Sequence, residues 1–344
     1  MNDKIKGLIY GSIIGDAVGA GHNRKKYGGE YKIKFEEVDI TSDWTSVSER
    51  LILIMEVLES SNKNNFGHIN VFLAAKKLCE WQEMGLSELS TKNNNISMNL
   101  NFILKQKDYL INPIKSSKQS YIKTGSDSAF NDAISSISIF GAYNNWYKNT
   151  ILYTIITTFD SRCIVACLIH SFIINCIITN KVINWSYINP ICHKIIVSQK
   201  IEKRHNLIEY NNYLNIALNY KCFINNFYKG KPANESAFLQ FLKKLNIGNY
   251  EENENQSYVL LGMVISMITA MDIQYLLSKK ESITTEYFKR RIQETASCGG
   301  DATTNCSIVG SIIGAFLGFK KLPEDWIKKI GNKSWLDLKI DAIK

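Results

Sequence analysis

The chain has 344 residues, of which 45% are hydrophobic, so a sizeable core can form. The formal net charge is +9, but the basic residues are scattered, and no arginine-rich helix indicates a nucleic-acid groove. Eight cysteines without a CxxC pair predict buried thiols in a reducing, cytoplasmic environment. A membrane span is not predicted, because each apolar run is interrupted by polar residues before it reaches about 18 residues. Heavy use of Asn, Ile and Lys is typical of an AT-rich genome, such as that of a large DNA virus.

Helical periodicity recurs along almost the whole chain, and alternating strand patterns are rare, with 30–40 the best of them. The pattern predicts helices at 49–60, 71–81, 133–143, 149–158, 161–178, 206–227, 257–278 and 303–320. Residues 86–130 are rich in Ser, Asn and Lys and predict long loops around one or two short helices. The sequence therefore predicts an all-α, compact multi-helix bundle with residues 1–344 as a single domain.

Two glycine ladders stand near the ends of the chain. Gly7, Gly11, Gly15 and Gly19 recur every four residues, as do Gly310, Gly314 and Gly318, and the word GSIIG occurs in both ladders. Glycine at every fourth position leaves a bare stripe along a helix, which a neighbouring backbone can approach closely. We therefore expect the first and last helices to cross in the core and to bring Asp16 and Asp301 into one neighbourhood.

The stretch GGDATTN (299–305) leads directly into the second glycine ladder. Glycines, one aspartate and several hydroxyl groups in front of a long apolar helix are compatible with three roles. Asp301 and Thr303 could cap the helix. The free N–H groups of the helix could bind an anion or a nucleotide. The oxygen ligands could hold a metal ion.

Five blocks in order resemble those of the ADP-ribosylglycohydrolase family. The blocks are GLIYGSIIGDAVG (7–19), DWTSVSERLILIMEVL (43–58), NDAISSISIFG (131–141), TTFDSRCIVAC (157–167) and GGDATTN (299–305). They resemble the family's G-x-x-x-G-x-x-x-G-D-A-x-G, D-W-T-D-D-T-D-Q, N-G-A-x-M-R-x-S-x-x-G, T-H-x-D-P-R-C and G-G-D-x-D-T-N. Their common order and spacing make the resemblance specific over most of the chain.

The resemblance implies a compact helical bundle that hydrolyses the bond between ADP-ribose and a protein side chain or a related acceptor. Two Mg²⁺ ions in the family are held by the second and the last block, and they orient the ribose and help to activate water. Carried over, it implies substrate-binding positions at Asp16, Asn131, Ser138, Gly299, Gly300 and Asn305. It implies metal-ligand positions at Thr45, Asp301 and Thr304.

The chain departs from the family at the positions that would hold the metals. Ser46 and Val47 stand where the second block has two aspartates, and Thr303 replaces the second aspartate of the last block. Of four expected carboxylates only Asp301 is left, although two divalent cations need compensating negative charge. Arg50 replaces a glutamine and adds positive charge. We therefore expect no metal cofactor in this chain.

Other polar positions depart as well. Asn23 stands where many members have a glutamate, Asp132 replaces a glycine, Ser136 an arginine and Thr158 a histidine. The packing glycines and apolar helices persist, so the losses cluster at the site.

Three functions remain compatible with these residues. The chain could be a weakened or inactive glycohydrolase, a pseudoenzyme that keeps at most the binding of ADP-ribose, a nucleotide or an ADP-ribosylated protein. It could be an active hydrolase with a single Mg²⁺, since such sites with one or two protein carboxylates and several waters exist. It could also be a non-catalytic scaffold for protein interactions. The sequence indicates neither a membrane nor a nucleic acid as a partner.

Overall fold

The protein was analysed as a computed structural model, which describes residues 2–22, 38–40, 43–63, 68–89, 96–199, 203–229, 235–247 and 257–343. Within these ranges the chain forms sixteen α-helices and no β-strand, which confirms the all-α prediction. Residues 30–37 of the possible strand at 30–40 lie outside the described ranges, as does Asn23.

The helices are α1 (Asp3–Ala20), α2 (Ser46–Lys63), α3 (Val71–Met84), α4 (Met98–Leu104), α5 (Pro113–Lys123), α6 (Asp132–Ser136), α7 (Trp146–Thr157), α8 (Ser161–Ile178), α9 (Trp185–Ser198), α10 (Lys203–Phe227), α11 (Ala237–Lys244), α12 (Val259–Ser278), α13 (Thr285–Ser297), α14 (Ala302–Leu317), α15 (Glu324–Lys329) and α16 (Lys333–Ala342). Short 3₁₀ turns at Ser87–Leu89, Ile137–Ala142 and Phe319–Lys321 connect some of them.

The centre of the bundle is made of helices that are apolar on all sides. Helices α8 and α12 are long and apolar enough to cross a membrane by length and composition alone, but 83% of an 18-residue window in each is buried inside the protein. A helix that is hydrophobic all round belongs to the core of a large protein when other helices surround it. Both helices therefore serve here as core helices, around which the remaining elements pack.

Helices α1 and α14 lie against each other in antiparallel orientation along their glycine stripes. A β-carbon on Gly7 would overlap the carbonyl oxygen of Gly314, and one on Gly11 would overlap that of Gly310. The same relation joins Gly15 to Cys306, so the contact runs the length of both helices. We call this contact the glycine seam. It confirms the expected crossing of the two glycine helices, but α14 is not the last helix, because α15 and α16 follow it.

Within the described residues of 86–130, the region predicted as loops around one or two short helices contains α4 and α5 and is otherwise mostly loop and turn. Its end is fixed to the core. Phe130 pairs with Tyr258 through an isolated antiparallel bridge, and the Asn131 N–H donates to the Ser257 carbonyl over 2.6 Å. This attachment places residues 130–132 next to the start of α12, and the Ser257 hydroxyl in turn donates to Asp301 at the start of α14.

Candidate functional site

A cleft of about 620 Å³ opens between the start of α2, the segment before α4, the start of α6 and the start of α14. Its lining residues are Thr45, Ser46, Val47, Arg50, Trp81, Ile96, Ser97, Leu100, Phe130, Asn131, Asp132, Ser257, Asp301, Thr303 and Thr304. One wall is apolar and is formed by side chains of α2, α3 and α4. The other wall is polar, which is the usual composition of a small-molecule site.

Asp16 lies behind the cleft wall and is fully buried in α1. Its carboxylate accepts four hydrogen bonds, from the backbone N–H and the hydroxyl of Thr45 (2.8 and 2.7 Å) and from those of Ser48 (3.1 and 2.7 Å). Burial raises the pKa of the Asp16 carboxyl to about 6, against the opposite effect of these bonds. Asp16 therefore anchors the start of α2 to the glycine seam, and it is not part of the cleft surface.

Asp301 is the N-cap of α14. One carboxylate oxygen accepts from the Thr304 N–H (3.4 Å) and the Thr303 hydroxyl (3.0 Å), and the other accepts from the Ser257 hydroxyl (3.2 Å). The preceding glycines, Gly299 and Gly300, have positive φ angles of 70° and 66°, a conformation that glycine adopts without strain. The carboxylate already occupies the favourable position for negative charge at the helix N-terminus.

The residues that the resemblance assigns to metals do not fit a pair of Mg²⁺ ions. The Thr45 hydroxyl donates its proton to Asp16, Val47 has no ligating atom, and both oxygens of Asp301 accept protein hydrogen bonds. Among the described residues no group of three or more His, Cys, Asp or Glu side chains is arranged to hold a metal ion. Two Mg²⁺ ions, which prefer oxygen-rich coordination, would find one carboxylate at these positions, that of Asp301, to balance their charge.

Arg50 and Asp132, both departures from the family pattern, form an ion pair inside the cleft. Arg50 Nη1 lies 3.2 Å from Asp132 Oδ2, and the Ser97 hydroxyl donates to the same oxygen over 2.7 Å. Arg50 is only 5% exposed. The expectation that Arg50 adds net positive charge to the cleft is therefore wrong, because Asp132 balances it. Sequence reasoning noticed both substitutions but missed their pairing, although their opposite charges were a signal.

Of the predicted binding residues Asn131, Ser138 and Asn305, one lines the cleft and two do not. Asn131 lines the cleft and is almost completely buried, and its side-chain oxygen accepts no hydrogen bond from the part of the chain that the structure describes. Ser138 lies in the 3₁₀ turn after α6, and Asn305 lies in the first turn of α14. Both are buried and neither lines the cleft. Binding by these residues stays a prediction.

The retained TTFDSRC block supports the cleft from outside. Asp160 caps α8 and pairs with Arg162 over 2.7 Å, and both side chains are buried. Asp160 also accepts from the Ser128 N–H, while the Cys163 thiol donates to the carbonyls of Ser128 and Phe130. The block thus holds the strand-like segment that carries Phe130 and Asn131 to the cleft. It was not assigned a role from the sequence.

Two phenylalanines near the cleft, Phe130 and Phe159, differ in whether they line it. Phe130 lines it and is 37% exposed. Phe159 does not fill it: its ring packs against Tyr121, with 6.3 Å between ring centres.

Trp81 lines the apolar wall of the cleft. Its indole N–H donates to Glu49 over 2.7 Å, so the Glu49 carboxylate lies behind the tryptophan.

Comparison with known proteins agrees with this architecture. The family model described as ADP-ribosylglycohydrolase matches residues 1–343. A solved structure described as an ADP-ribosylglycohydrolase-related protein complex is similar over 99% of this chain and 96% of its own, with a TM-score of 0.55 and 12% sequence identity. At that identity the similarity shows the fold alone. No curated protein matches the chain.

These findings define an all-α protein with a polar cleft at the starts of α2, α6 and α14. The chain belongs to the ADP-ribosylglycohydrolase family. Members of this family act on ADP-ribosylated substrates and use Mg²⁺.

Proposed function

We propose that this chain binds ADP-ribose or a related nucleotide in the cleft without carrying out the two-magnesium hydrolysis of its family. The observation that carries the proposal is the loss of carboxylates at the ligand positions, where Ser46, Val47 and Thr303 leave Asp301 alone. The Asp301 oxygens accept hydrogen bonds from Thr303, Thr304 and Ser257. One carboxylate does not balance the charge of two divalent cations.

The size and lining of the cleft support retained binding. A volume of about 620 Å³ lies within the range of roughly 300–1,000 Å³ that is usual for small-molecule sites. The apolar wall offers Val47, Ile96 and Leu100 to a base or sugar ring, and Phe130 is exposed at its margin. Asn131 lines the same cleft, and its buried side-chain oxygen accepts no hydrogen bond from the described residues. A buried polar atom without a partner is costly unless a ligand or water satisfies it.

Calorimetric titration of the full chain with ADP-ribose, with and without Mg²⁺, tests the proposal. We expect a dissociation constant in the micromolar to millimolar range, equivalent to about −4 to −8 kcal/mol, and the same value in both buffers. A parallel assay with ADP-ribosyl-arginine and ADP-ribosyl-serine peptides should show no turnover.

Two results contradict the proposal. A flat titration at millimolar ADP-ribose removes the binding function. Mg²⁺-dependent release of ADP-ribose at an ordinary enzymatic rate of about 1 s⁻¹ or faster shows an active hydrolase instead.

A further inference from the structure

Helix α5 lies at the surface, yet it turns small polar side chains towards the core. Ser116, Ser117 and Ser120 are buried, whereas Ile114 and Ile122 of the same helix are exposed. A surface helix of a globular protein normally buries its apolar stripe and exposes its polar face. Packing within the described part of the chain therefore does not account for the outward position of the two isoleucines.

The two isoleucines belong to a larger apolar surface. Its other members lie in α4 and in the loop between α4 and α5, and they are Met98, Phe102, Leu110 and Ile111. Gln106 connects the ends of the two helices, since its side chain donates to the Phe102 carbonyl (2.9 Å) and accepts from Lys123 (3.3 Å). Single exposed apolar residues are normal, but a contiguous group typically marks an interaction site. We call the exposed side chains of residues 98–123 the α4–α5 face.

Lysine dominates the charge of the α4–α5 face. The exposed lysines are Lys105, Lys107, Lys115, Lys118 and Lys123, and Asp108 is the one carboxylate in 98–123. Lys123 bonds to the neutral Gln106, and Lys118 Nζ lies 5.7 Å from the centre of the Phe159 ring. In the described part of the chain no carboxylate forms an ion pair with any of the five lysines. Their positive charge is therefore available to an anionic partner.

A lipid surface fits this composition better than a protein partner does. Protein interfaces are depleted of lysine and enriched in arginine and tryptophan, and residues 98–123 contain neither arginine nor tryptophan. At a membrane surface, lysine keeps its charged end among the headgroups while its stem lies along apolar groups. A second copy of this chain is also a poor occupant, because a two-fold contact would bring the lysines of both copies together.

We propose that the α4–α5 face docks this protein on an anionic membrane surface. The apolar side chains enter the boundary between headgroups and acyl chains, and the lysines bind the anionic headgroups. The protein then lies on the bilayer without spanning it. Leu100, the α4 residue that lines the cleft, is buried and takes no part, so the inference does not depend on the proposed function. The sequence indicated no membrane partner, because it does not show that α5 turns its isoleucines outwards.

Co-sedimentation of the full chain with lipid vesicles tests the inference. Vesicles of phosphatidylcholine alone are compared with vesicles that contain about 30% phosphatidylserine, an anionic lipid. We expect the partition coefficient to be about tenfold or more higher for the anionic vesicles, and to fall when NaCl is raised from about 0.1 to about 0.5 M, since salt screens the lysine charges. Absence of binding to the anionic vesicles, or equal binding to both kinds, overturns the inference.

Two matched triple variants locate the contribution of charge. K115Q/K118Q/K123Q should lower the partition coefficient for anionic vesicles about tenfold or more. K181Q/K221Q/K320Q removes the same charge from exposed positions outside the face and should lower it less than about threefold, because charges away from the bilayer are screened. Equal losses would show that binding follows the net charge of +9 and would overturn the inference.

A second pair of variants separates apolar insertion from charge. M98S/I111S/I122S should bind anionic vesicles about tenfold or more weakly, because it loses apolar area at the bilayer boundary. V182S/V197S/L338S replaces similarly exposed residues outside the face and should bind as the natural chain does. All six positions are exposed, so both variants should keep the fold, which circular dichroism checks.

Unchanged binding of the folded M98S/I111S/I122S variant overturns the inference. It is also overturned by a natural chain that does not bind vesicles but binds soluble poly-glutamate, a result that would assign the α4–α5 face to an acidic protein.

Discussion

The glycine seam and the cleft share helix α14, yet they differ in what they tolerate. In the seam, a single β-carbon at Gly11 or Gly314 would overlap a backbone carbonyl of the other helix. In the cleft, aspartates of the family pattern are replaced by Ser46, Val47 and Thr303 while the wall stays packed. Backbone cannot move aside for an added atom, whereas a polar wall needs only that its groups find partners.

Asp16 shows how the two regions are joined. It lies in the seam helix α1 and accepts all four of its hydrogen bonds from Thr45 and Ser48 at the start of α2. Asp16 therefore has a role in folding whether or not a ligand binds in the cleft. A residue that keeps its identity beside an altered site can therefore report on the scaffold and not on the chemistry.

The strongest test of the comparison is a change in the seam. Gly11→Ala should destabilise the protein by about 4 kcal/mol or more, because the new methyl group overlaps the Gly310 carbonyl and the helices must separate. Chemical denaturation followed by circular dichroism measures the effect.

Gly262→Ala is the matched control in α12. The atoms nearest to its methyl group would be side-chain carbons, of Ile134 and Ile308 at 3.2 Å and of Asn131 at 3.7 Å, and alanine is the better helix former by about 1 kcal/mol. We expect a net change within about 1 kcal/mol. Equal losses for Gly11→Ala and Gly262→Ala would show that the seam is no more restrictive than the rest of the core.

The second test uses a buried histidine beside the seam. His170 lies in α8 between Ser266 and Ser311, with its ring nitrogens 2.9 and 3.3 Å from their hydroxyl oxygens. Burial lowers the pKa of His170 to about 3. In the unfolded chain a histidine titrates near 6.5, so the unfolded chain binds a proton below that pH and the folded protein does not.

The free energy of unfolding should therefore fall by about 2 kcal/mol between pH 7 and pH 5 through His170 alone. The stability is complete above about pH 6.5 and is lost progressively towards pH 3. His170→Gln should remove this part of the pH dependence, which urea denaturation at both pH values measures. Parallel pH profiles for the two proteins would contradict the assignment.

The third test supplies the cleft with the carboxylates that the resemblance expects. In the triple variant S46D/V47D/T303D, 10 mM MgCl₂ should stabilise the fold by about 1.4 kcal/mol if the dissociation constant is about 1 mM. The natural chain should not respond. Thermal unfolding with and without Mg²⁺ measures the difference.

The variant S46N/V47N/T303N has side chains of the same size without the charge and is the matched control. Equal stabilisation of the natural chain and the aspartate variant by Mg²⁺ would show that the present cleft already holds the ion.

Local patterns predicted the helices whose apolar residues follow a regular period. Helices α2, α3, α7, α8, α10, α12 and α14 agree with the predicted ranges to within a few residues. The sequence did not predict α9, which contains Pro190, or α13, which is strongly charged. In α13, Arg291 is buried because it pairs with Asp272 of α12 at 2.8 Å and with Glu294 at 2.6 Å. In a sequence pattern a charged residue predicts an exposed side chain. Its burial can be predicted only when its partner on another helix is known.

The sequence by itself determined the family, the all-α class and the close packing of the two glycine helices, because blocks in order and glycines every four residues are local features that a helix converts directly into a surface. Only the tertiary structure decided the character of the cleft. Arg50 and Asp132 are 82 residues apart, and Asp16 finds its donors 29 and 32 residues away. Whether a charge is free or balanced, and whether a carboxylate faces a ligand or the protein, depends on partners that folding brings together from distant parts of the chain.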